Sequence, residues 1–255
     1  MELPQGPVTL TFDGSDAVSV TGAPTQNGYA WWSNRGDDSV STLTRAFDLS
    51  GAAAATLQFS VWHEIELNWD YGFVTVSTDG GTTWTTLQGT TTVADDPQGN
   101  NIGGQGLTGV SGAPGQKTDL GVEGQWIEEQ MDLSPFAGKQ VLVRFWLIHD
   151  AAYNATGMLL DNIRIPEITY SDDAETDQGG WDAQGFVRTT GMLPQQWNLR
   201  LVREGRNGTT VEPLPTDAQG RATAQLGDGE RGRLVIIGST PHTTQAAPYT
   251  YTVDP

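Results

Sequence analysis

The chain has 255 residues, 36% of them hydrophobic, which is enough for one large domain or two smaller ones with a buried core. Its 31 acidic and 13 basic residues give a net charge of −18, which disfavours nucleic acid and anionic membranes as partners. The absence of cysteine excludes disulfides and cysteine-ligated zinc, and no apolar stretch is long enough to span a membrane.

The composition predicts an all-β protein. The chain contains 32 glycines, 13 prolines and many Thr and Ser residues, and it lacks a long helical periodicity. Residues 7–166 contain about eight segments with the alternation of strands, the usual number for a jelly-roll β-sandwich. These predicted strands are Val8–Phe12, Ser41–Leu49, Ala55–Trp62, Gly72–Ser77, Thr83–Leu87, Trp126–Leu133, Gln140–His149 and Met158–Ile165.

The segment from Ser77 to Trp84 predicts a β-hairpin with a tightly bonded tip. Its sequence fits the pattern S-x-D-x-G-x-T-W, and the pair Asp79-Gly80 favours a turn with positive φ. The pattern resembles the Asp-box of sialidases and of several secreted β-sandwich proteins. This resemblance implies that Asp79 bonds to the turn backbone and that Trp84 packs beneath it, a structural role.

A long connection, Gln88–Gln125, joins two of the predicted strands. It is rich in Gly, Thr and Gln and is longer than connections in compact domains usually are. A ligand-binding loop, a partner surface and a disordered insertion are all compatible with it, and the last two are favoured. Because small polar residues offer little apolar area to bury, we expect the loop to be largely mobile or held only by its neighbours, and dispensable to the fold.

The acidic, turn-rich passage from Asp172 to Asp177 predicts a domain boundary, which we place between residues 168 and 169. The predicted domains are therefore a jelly-roll β-sandwich over 1–168 and a smaller β-sandwich module over 169–255. The predicted strands of the second module are Gln196–Arg203, Thr209–Glu212, Arg221–Leu226, Gly232–Gly238 and Tyr249–Val253.

Several segments together form a recognisable combination: Trp31–Asp38, Phe47–Ser50, Trp62–Glu66, Trp69–Val74, Met131–Ser134, Val143–Phe145, Leu159–Ile163, Gly180-Trp181 and Gly185-Phe186. With the Ser77–Trp84 hairpin, they resemble the immune inhibitor A-like secreted bacterial metallopeptidases, in the region downstream of the catalytic domain. The resemblance implies a MAM-like jelly roll with a structural calcium, an upstream peptidase domain and an extracellular or cell-surface location. The opening of the chain also lacks a signal peptide, and we expect an excised segment.

The zinc motif of the family's enzymes, H-E-x-x-H, is absent from this sequence. His63-Glu64 is followed by Ile65, Glu66 and Leu67, so the second histidine at i+4 is missing. The segment also has the pattern of a strand end rather than of a helix. We therefore predict that the chain is not an enzyme.

Five carboxylates are predicted to bind a structural calcium in the first domain. Asp161 interrupts an apolar strand, where an ionised carboxylate is costly unless it is metal-bound or paired with Arg144 or Arg164. Calcium binds to carboxylate and carbonyl oxygens, whereas zinc would prefer histidines. The alternative is that these residues are solvated acids. The predicted ligands are Asp13, Asp38, Glu66, Asp70 and Asp161, and the MAM resemblance supports Asp13 and Asp161 most directly.

Two other classes of function stay open at this point. Exposed aromatic residues would favour a carbohydrate-binding module with a stacking platform, although core or rim packing of most of the candidates is the favoured alternative. For the accessory region that the resemblance implies, the expected task is to support the catalytic domain or to bind a protein or glycan target. A long unpaired edge strand would favour a structural or adhesive surface-protein domain. The candidate platform residues are Trp31, Trp32, Trp69, Tyr71 and Tyr153.

Overall fold

A computed structural model describes residues 1–22, 25–26, 28–117, 122–206 and 208–255. These residues form strands and loops with two short 3-10 turns, Ser134–Phe136 and Pro166–Ile168, which confirms the predicted all-β class. No helix within the described ranges has the length and apolar character needed to cross a membrane. The strands are β1 Glu2–Leu3, β2 Val8–Gly14, β3 Ala17–Ser19, β4 Ala30–Trp32, β5 Val40–Asp48, β6 Thr56–Glu64, β7 Tyr71–Ser77, β8 Thr85–Thr86, β9 Ile127–Asp132, β10 Gln140–Ile148, β11 Gly157–Ile165, β12 Tyr170–Asp172, β13 Asp182–Gln184, β14 Val187–Thr189, β15 Met192–Pro194, β16 Trp197–Gly205, β17 Gly208–Pro213, β18 Arg221–Leu226, β19 Arg231–Gly238 and β20 Tyr249–Asp254.

The larger unit, Thr21–Gly191, is a β-sandwich. One sheet has the strand order β13-β5-β10-β7-β8, and the other has the order β14-β4-β11-β6-β9 with β12 paired to β11. The two sheets share one core, in which the rings of Phe59 on β6 and Phe145 on β10 meet edge to face at 5.0 Å. Strand β10 illustrates how the sequence produces a buried sheet face. Its alternate residues Val141, Val143 and Phe145 are apolar, and all three lie in the core.

The smaller unit combines both ends of the chain, Met1–Val20 and Met192–Pro255. Its sheets have the orders β1-β19-β16-β17, β18-β2-β20 and β15-β3. Residues from the two larger sheets share a second core, in which Phe12 and Leu234 are fully buried. A smaller β-sandwich is therefore present, as the sequence predicts.

This division of the chain differs from the predicted boundary at 168/169. Strand β2 was assigned to the jelly roll, but it pairs with β18 and β20 of the smaller unit. The residues after 169 belong to the larger unit, because β12, β13 and β14 pair with its strands and Trp181 and Phe186 are buried in its core. Alternation along β2 identifies a strand but not the strands with which it pairs. The predicted boundary rests on the acidic composition of 172–177, which carries no information about the buried Trp181 and Phe186 that follow.

The predicted hairpin tip is observed between β7 and β8. Gly80 and Gly81 both have positive φ, 72° and 92°. The Asp79 carboxylate accepts hydrogen bonds from the amides of Thr82 and Thr83 and from the Thr83 hydroxyl, and Trp84 Nε1 donates to Gly81 O at 3.0 Å. These bonds to Thr83, together with one from Ser77, lower the pKa of Asp79 to about 2.

Asp79→Ala is expected to lower the melting temperature at pH 7, because the turn amides lose their acceptor. The folded state depresses the pKa of Asp79, so its contribution exists above the unfolded-state value near 4 and disappears as the pH falls through about 2. Thermal melts at pH 7 and at pH 2.5 should therefore show a smaller difference between parent and variant at the lower pH. Thr82→Ala is the control, since it keeps the amide bond to the Asp79 carboxylate and loses only an exposed hydroxyl bond to Asp79 O, so it should change little. Equal melting temperatures of Asp79→Ala and the parent at pH 7 would contradict this role.

The long connection 88–125 packs on the β-sandwich over its described residues, 88–117 and 122–125, which differs from the expected largely mobile loop. The amide and carbonyl of Leu107 both bond to Gly72 on β7, at 2.8 and 2.9 Å. Leu107 and Val110 are buried, and the buried Glu129 carboxylate accepts the amides of Thr90 and Thr91. The loop thus contributes a few buried apolar residues, although most of its residues are small and polar. The prediction for residues 118–121 lies outside the described residues.

Candidate metal centre

Three carboxylates meet at one end of the larger unit, where the connection β6–β7 approaches the residues after β10. The antiparallel pairing of β7 with β10 places Tyr71 opposite Ile148. The residues just before Tyr71 therefore lie beside those just after Ile148. This register brings Asp70 next to Asp150.

The side chains of Glu66, Asp70 and Asp150 each offer one oxygen, and these oxygens lie within 4.8 Å of one another. A turn holds the first two together, since the Asp70 amide donates to Glu66 O at 3.0 Å. The Asp150 amide donates to Asp70 Oδ1 at 2.9 Å. Backbone hydrogen bonds therefore hold the Asp70 carboxylate beside the Asp150 backbone and hold Asp70 in one turn with Glu66.

Asp70 is the least solvated member of this cluster. The residue is 1% exposed, and within the described part of the chain its Oδ2 atom has no hydrogen-bond partner. Burial raises the pKa of Asp70 to about 7, and the negative charges of Asp150 and Glu66 contribute to the same shift. A buried carboxylate oxygen without a partner, beside two further carboxylates, is an arrangement that a cation would stabilise.

The donor set of the cluster consists of oxygen atoms, which are the ligands of hard cations. Calcium takes six to eight oxygens at roughly 2.3–2.6 Å, from carboxylates, carbonyls and water. Zinc prefers nitrogen and sulfur ligands, and the cluster contains neither His nor Cys. Glu66, Asp70 and Asp150 therefore fit calcium, and the buried Asp70 Oδ2 is an oxygen that still lacks a partner in the described residues.

Of the predicted ligands, Glu66 and Asp70 come together, whereas Asp13 and Asp38 do not join them. Asp13 lies on β2 of the smaller unit, is exposed, and accepts a hydrogen bond from Arg221 Nε at 3.3 Å. Asp38 is an exposed turn residue with φ 48°, and its backbone amide donates to Asp150 O. Asp38 therefore contacts Asp150, a member of the cluster, through its backbone amide.

Asp161 is buried on β11, as predicted, and belongs to a different electrostatic group. Its Oδ1 accepts the amide of Asn162 at 2.7 Å, and in the described ranges its Oδ2 has no hydrogen-bond partner. Burial raises the pKa of Asp161 to about 6, with additional contributions from the charges of Glu175, Asp173 and Asp172. The arginines that were its competing partners bond elsewhere, Arg144 to Thr44 and Arg164 to Gln58 and Glu128.

Asp150 is the functional candidate that sequence reasoning missed. It follows an apolar strand directly, in the segment Ile148-His149-Asp150, and this is the kind of position that Asp70 has before β7. The two positions become neighbours only through the pairing of β7 with β10. The signal in the sequence is an acidic residue at the end of a strand. It indicates a shared site only when the register between β7 and β10 is known.

Three of the five candidate platform residues lie in the core, in agreement with the favoured alternative of core packing. Trp31, Trp32 and Tyr71 are buried. Trp69 is 38% exposed and Tyr153 is 49% exposed, so these two are the surface aromatics of the set. Core packing explains the buried three.

His63 and Glu64 form the end of strand β6, as the sequence indicates, and each has a structural partner. His63 Nδ1 lies 3.0 Å from Gly109 O, and burial lowers the pKa of His63 to about 4, so the ring is neutral. The Glu64 carboxylate accepts the amide of Gly124 and the hydroxyl of Thr156. These contacts connect β6 to the neighbouring loops.

Comparison with known proteins gives a consistent result. The chain is 28% identical over 172 residues to the pre-pro-metalloprotease PrtV of Vibrio cholerae serotype O1 (strain M66-2), covering 66% of this chain and 17% of that protein. It is 32% identical over 196 residues to immune inhibitor A of Bacillus thuringiensis subsp. alesti, covering 74% of this chain and 25% of that protein. The chain thus spans a quarter or less of these relatives. The family model described as "Immune inhibitor A-like, MAM domain" matches residues 8–191, most of the sequence, and the chain therefore belongs to this family.

Proposed function

We propose that the chain is a non-catalytic accessory region of an extracellular immune inhibitor A-like metallopeptidase. The observation that carries this proposal is the match of residues 8–191 to the MAM domain of that family. The aligned region is a minor part of two relatives whose names describe a metalloprotease and immune inhibitor A. In this proposal the peptidase domain lies upstream, and the accessory region supports it or holds a protein or glycan target.

A bound calcium is the second element of the proposal. Its ligands are Glu66, Asp70 and Asp150, and the support is the buried, unpartnered Oδ2 of Asp70 among three carboxylates. The ion would join the β6–β7 connection to the residues after β10. Its role would be structural, because the ion would tie two connections of the sandwich together and the described cluster includes no histidine.

We expect no hydrolysis of casein above background by the purified chain, with or without added zinc. The sequence has no H-E-x-x-H motif, and the His63 and Glu64 side chains are engaged in structural contacts. Glu64→Gln is the matched variant, since Glu64 occupies the position of the catalytic glutamate in that motif. Zinc-dependent proteolysis that disappears in Glu64→Gln would overturn the non-catalytic assignment, whereas proteolysis unaffected by the substitution identifies a contaminant.

A further inference from the structure

A cavity of about 320 Å³ opens in the smaller unit, beside strands β16 and β19 and the segment that leads into β20. Its volume lies at the lower end of the roughly 300–1,000 Å³ typical of small-ligand sites. All of its lining residues belong to 195–249, so the site is complete within one unit. It is separate from the carboxylate cluster and does not depend on the calcium proposal.

The chemistry of the lining is neutral and rich in hydrogen-bonding groups. Amides come from Gln195 and Gln245, and hydroxyls come from Thr240, Thr243 and Thr244. None of the described lining residues carries a charge at neutral pH, although the chain as a whole has a net charge of −18. A charged ligand would lack a counter-charge here, and a purely apolar ligand would leave these amides and hydroxyls without partners.

Several of these polar groups are held in place by the backbone. Thr243 Oγ1 donates to Ser19 O at 2.6 Å and accepts the Gln245 amide at 3.0 Å. Gln195 Nε2 donates to Gln196 O at 2.8 Å. Because a hydroxyl can accept twice and an amide oxygen is an acceptor, the fixed side chains keep acceptor positions for a ligand's hydroxyl groups.

Two aromatic rings complete the lining. Tyr249 stacks on the buried Phe12, with ring centroids 5.6 Å apart and planes at 27°, and Trp197 meets Tyr249 edge-on at 5.8 Å. Trp197 Nε1 is bonded to Ser15 O, which fixes the indole. Phe12 covers one face of the Tyr249 ring, and Tyr249 is still 47% exposed. An anchored ring with an exposed face is a stacking surface for the C–H groups of a flat, polar ligand.

From these observations we infer that the cavity binds a neutral glycan. A sugar ring combines an apolar face, which suits Tyr249, with uncharged hydroxyls, which suit the Thr and Gln side chains. The platform expected from the sequence was placed in the first domain. The structure assigns the sugar-binding chemistry to the other unit and to different residues.

The test uses the full chain and titrates it with cellotetraose, maltotetraose and chitotetraose to about 10 mM, a range in which a Kd near 1 mM is measurable by NMR or calorimetry. At least one neutral oligosaccharide is expected to bind, and Tyr249→Ala is expected to weaken its binding roughly tenfold or more. Tyr251→Ala is the matched control, because Tyr251 lies on the same strand, is 45% exposed and does not line the cavity. It should bind as the parent does.

A second variant guards against loss of folding in Tyr249→Ala. Gly238 lines the cavity, and a Cβ built there lies 3.2 Å from Gln195 Nε2, a side-chain end that has to shift by a few tenths of an ångström. Gly238→Gln should therefore fill the cavity and abolish glycan binding while the melting temperature stays near that of the parent. Absence of binding to all three oligosaccharides, unchanged binding in a folded Gly238→Gln, or binding of a neutral Gly-Ser-Gln-Thr peptide in their place would overturn the inference.

Discussion

Replacing residues 89–121 by a short Gly/Ser linker is expected to abolish the cooperative unfolding transition of the larger unit or to lower its midpoint severely. The replacement removes Leu107 and Val110 from the core, and loss of a buried aliphatic side chain costs about 2–5 kcal/mol. It also leaves the buried Glu129 carboxylate without the amides of Thr90 and Thr91, at a further cost of about 1–3 kcal/mol. The sum approaches the whole stability of a domain, about 5–15 kcal/mol.

Calorimetric or denaturant unfolding of point variants separates the anchors from the rest of the loop. Leu107→Ala should cost about 2–5 kcal/mol, since Leu107 belongs to the main core. Ile102→Ser is the control, because Ile102 is largely exposed and such surface changes usually stay within about 0.5 kcal/mol. A linker variant that melts like the parent would show that the loop is not part of the folded core.

Millimolar calcium is expected to raise the free energy of unfolding by about 2–4 kcal/mol relative to EDTA, if its concentration is about 100 to 1,000 times the Kd. Asp70→Asn should remove this response. In EDTA the same variant should be at least as stable as the parent, because a neutral amide replaces a buried carboxylate that has an unpartnered oxygen. Thermal melts of both chains, in EDTA and in calcium, measure these effects. Coincident melts of the parent chain in the two conditions would defeat the calcium proposal.

The calcium effect should also depend on pH. Folding raises the pKa of Asp70 to about 7, so without metal the contribution of this group is fully present below its unfolded value near 4 and is lost as the pH rises through about 7. Calcium binds the ionised form, so its stabilisation should be larger at pH 8 than at pH 5.5.

Asp38→Asn is the control variant and should keep the stabilisation by calcium. Asp161→Asn tests the second buried carboxylate separately, and loss of the response only in that variant would place the ion at Asp161.

Residues with strict alternation could be located from the sequence. Strands β6, β10 and β18 were predicted nearly to the residue, because one face of each must be apolar. Strands of three residues, such as β4 and β13, are too short to show a period and were missed. Their positions depend on pairing with distant partners, and periodicity carries no information about partners.

Only part of the candidate metal site could be predicted from the sequence, because its residues come from two connections that strand pairing brings together. Glu66 and Asp70 are close in sequence, so one connection contains both. Asp150 joins them from eighty residues away, through the register between β7 and β10. The reverse error concerns Asp13, whose position after an opening strand suited the resemblance but whose strand pairs in the other unit.

The central strand β2 imposes an order on the assembly of the protein during translation. It lies between β18 and β20, and its register with β20 runs from Thr9 opposite Asp254 to Gly14 opposite Tyr249. At about 5–20 residues per second, ribosomes take roughly 10–50 s to make the intervening chain. Strand β2 gains its neighbours only late in that interval, after all strands of the unit Thr21–Gly191 have been synthesised. The unit Thr21–Gly191 should therefore be able to fold before β2 pairs, and β2 should be among the last strands of this region to gain protection from a protease.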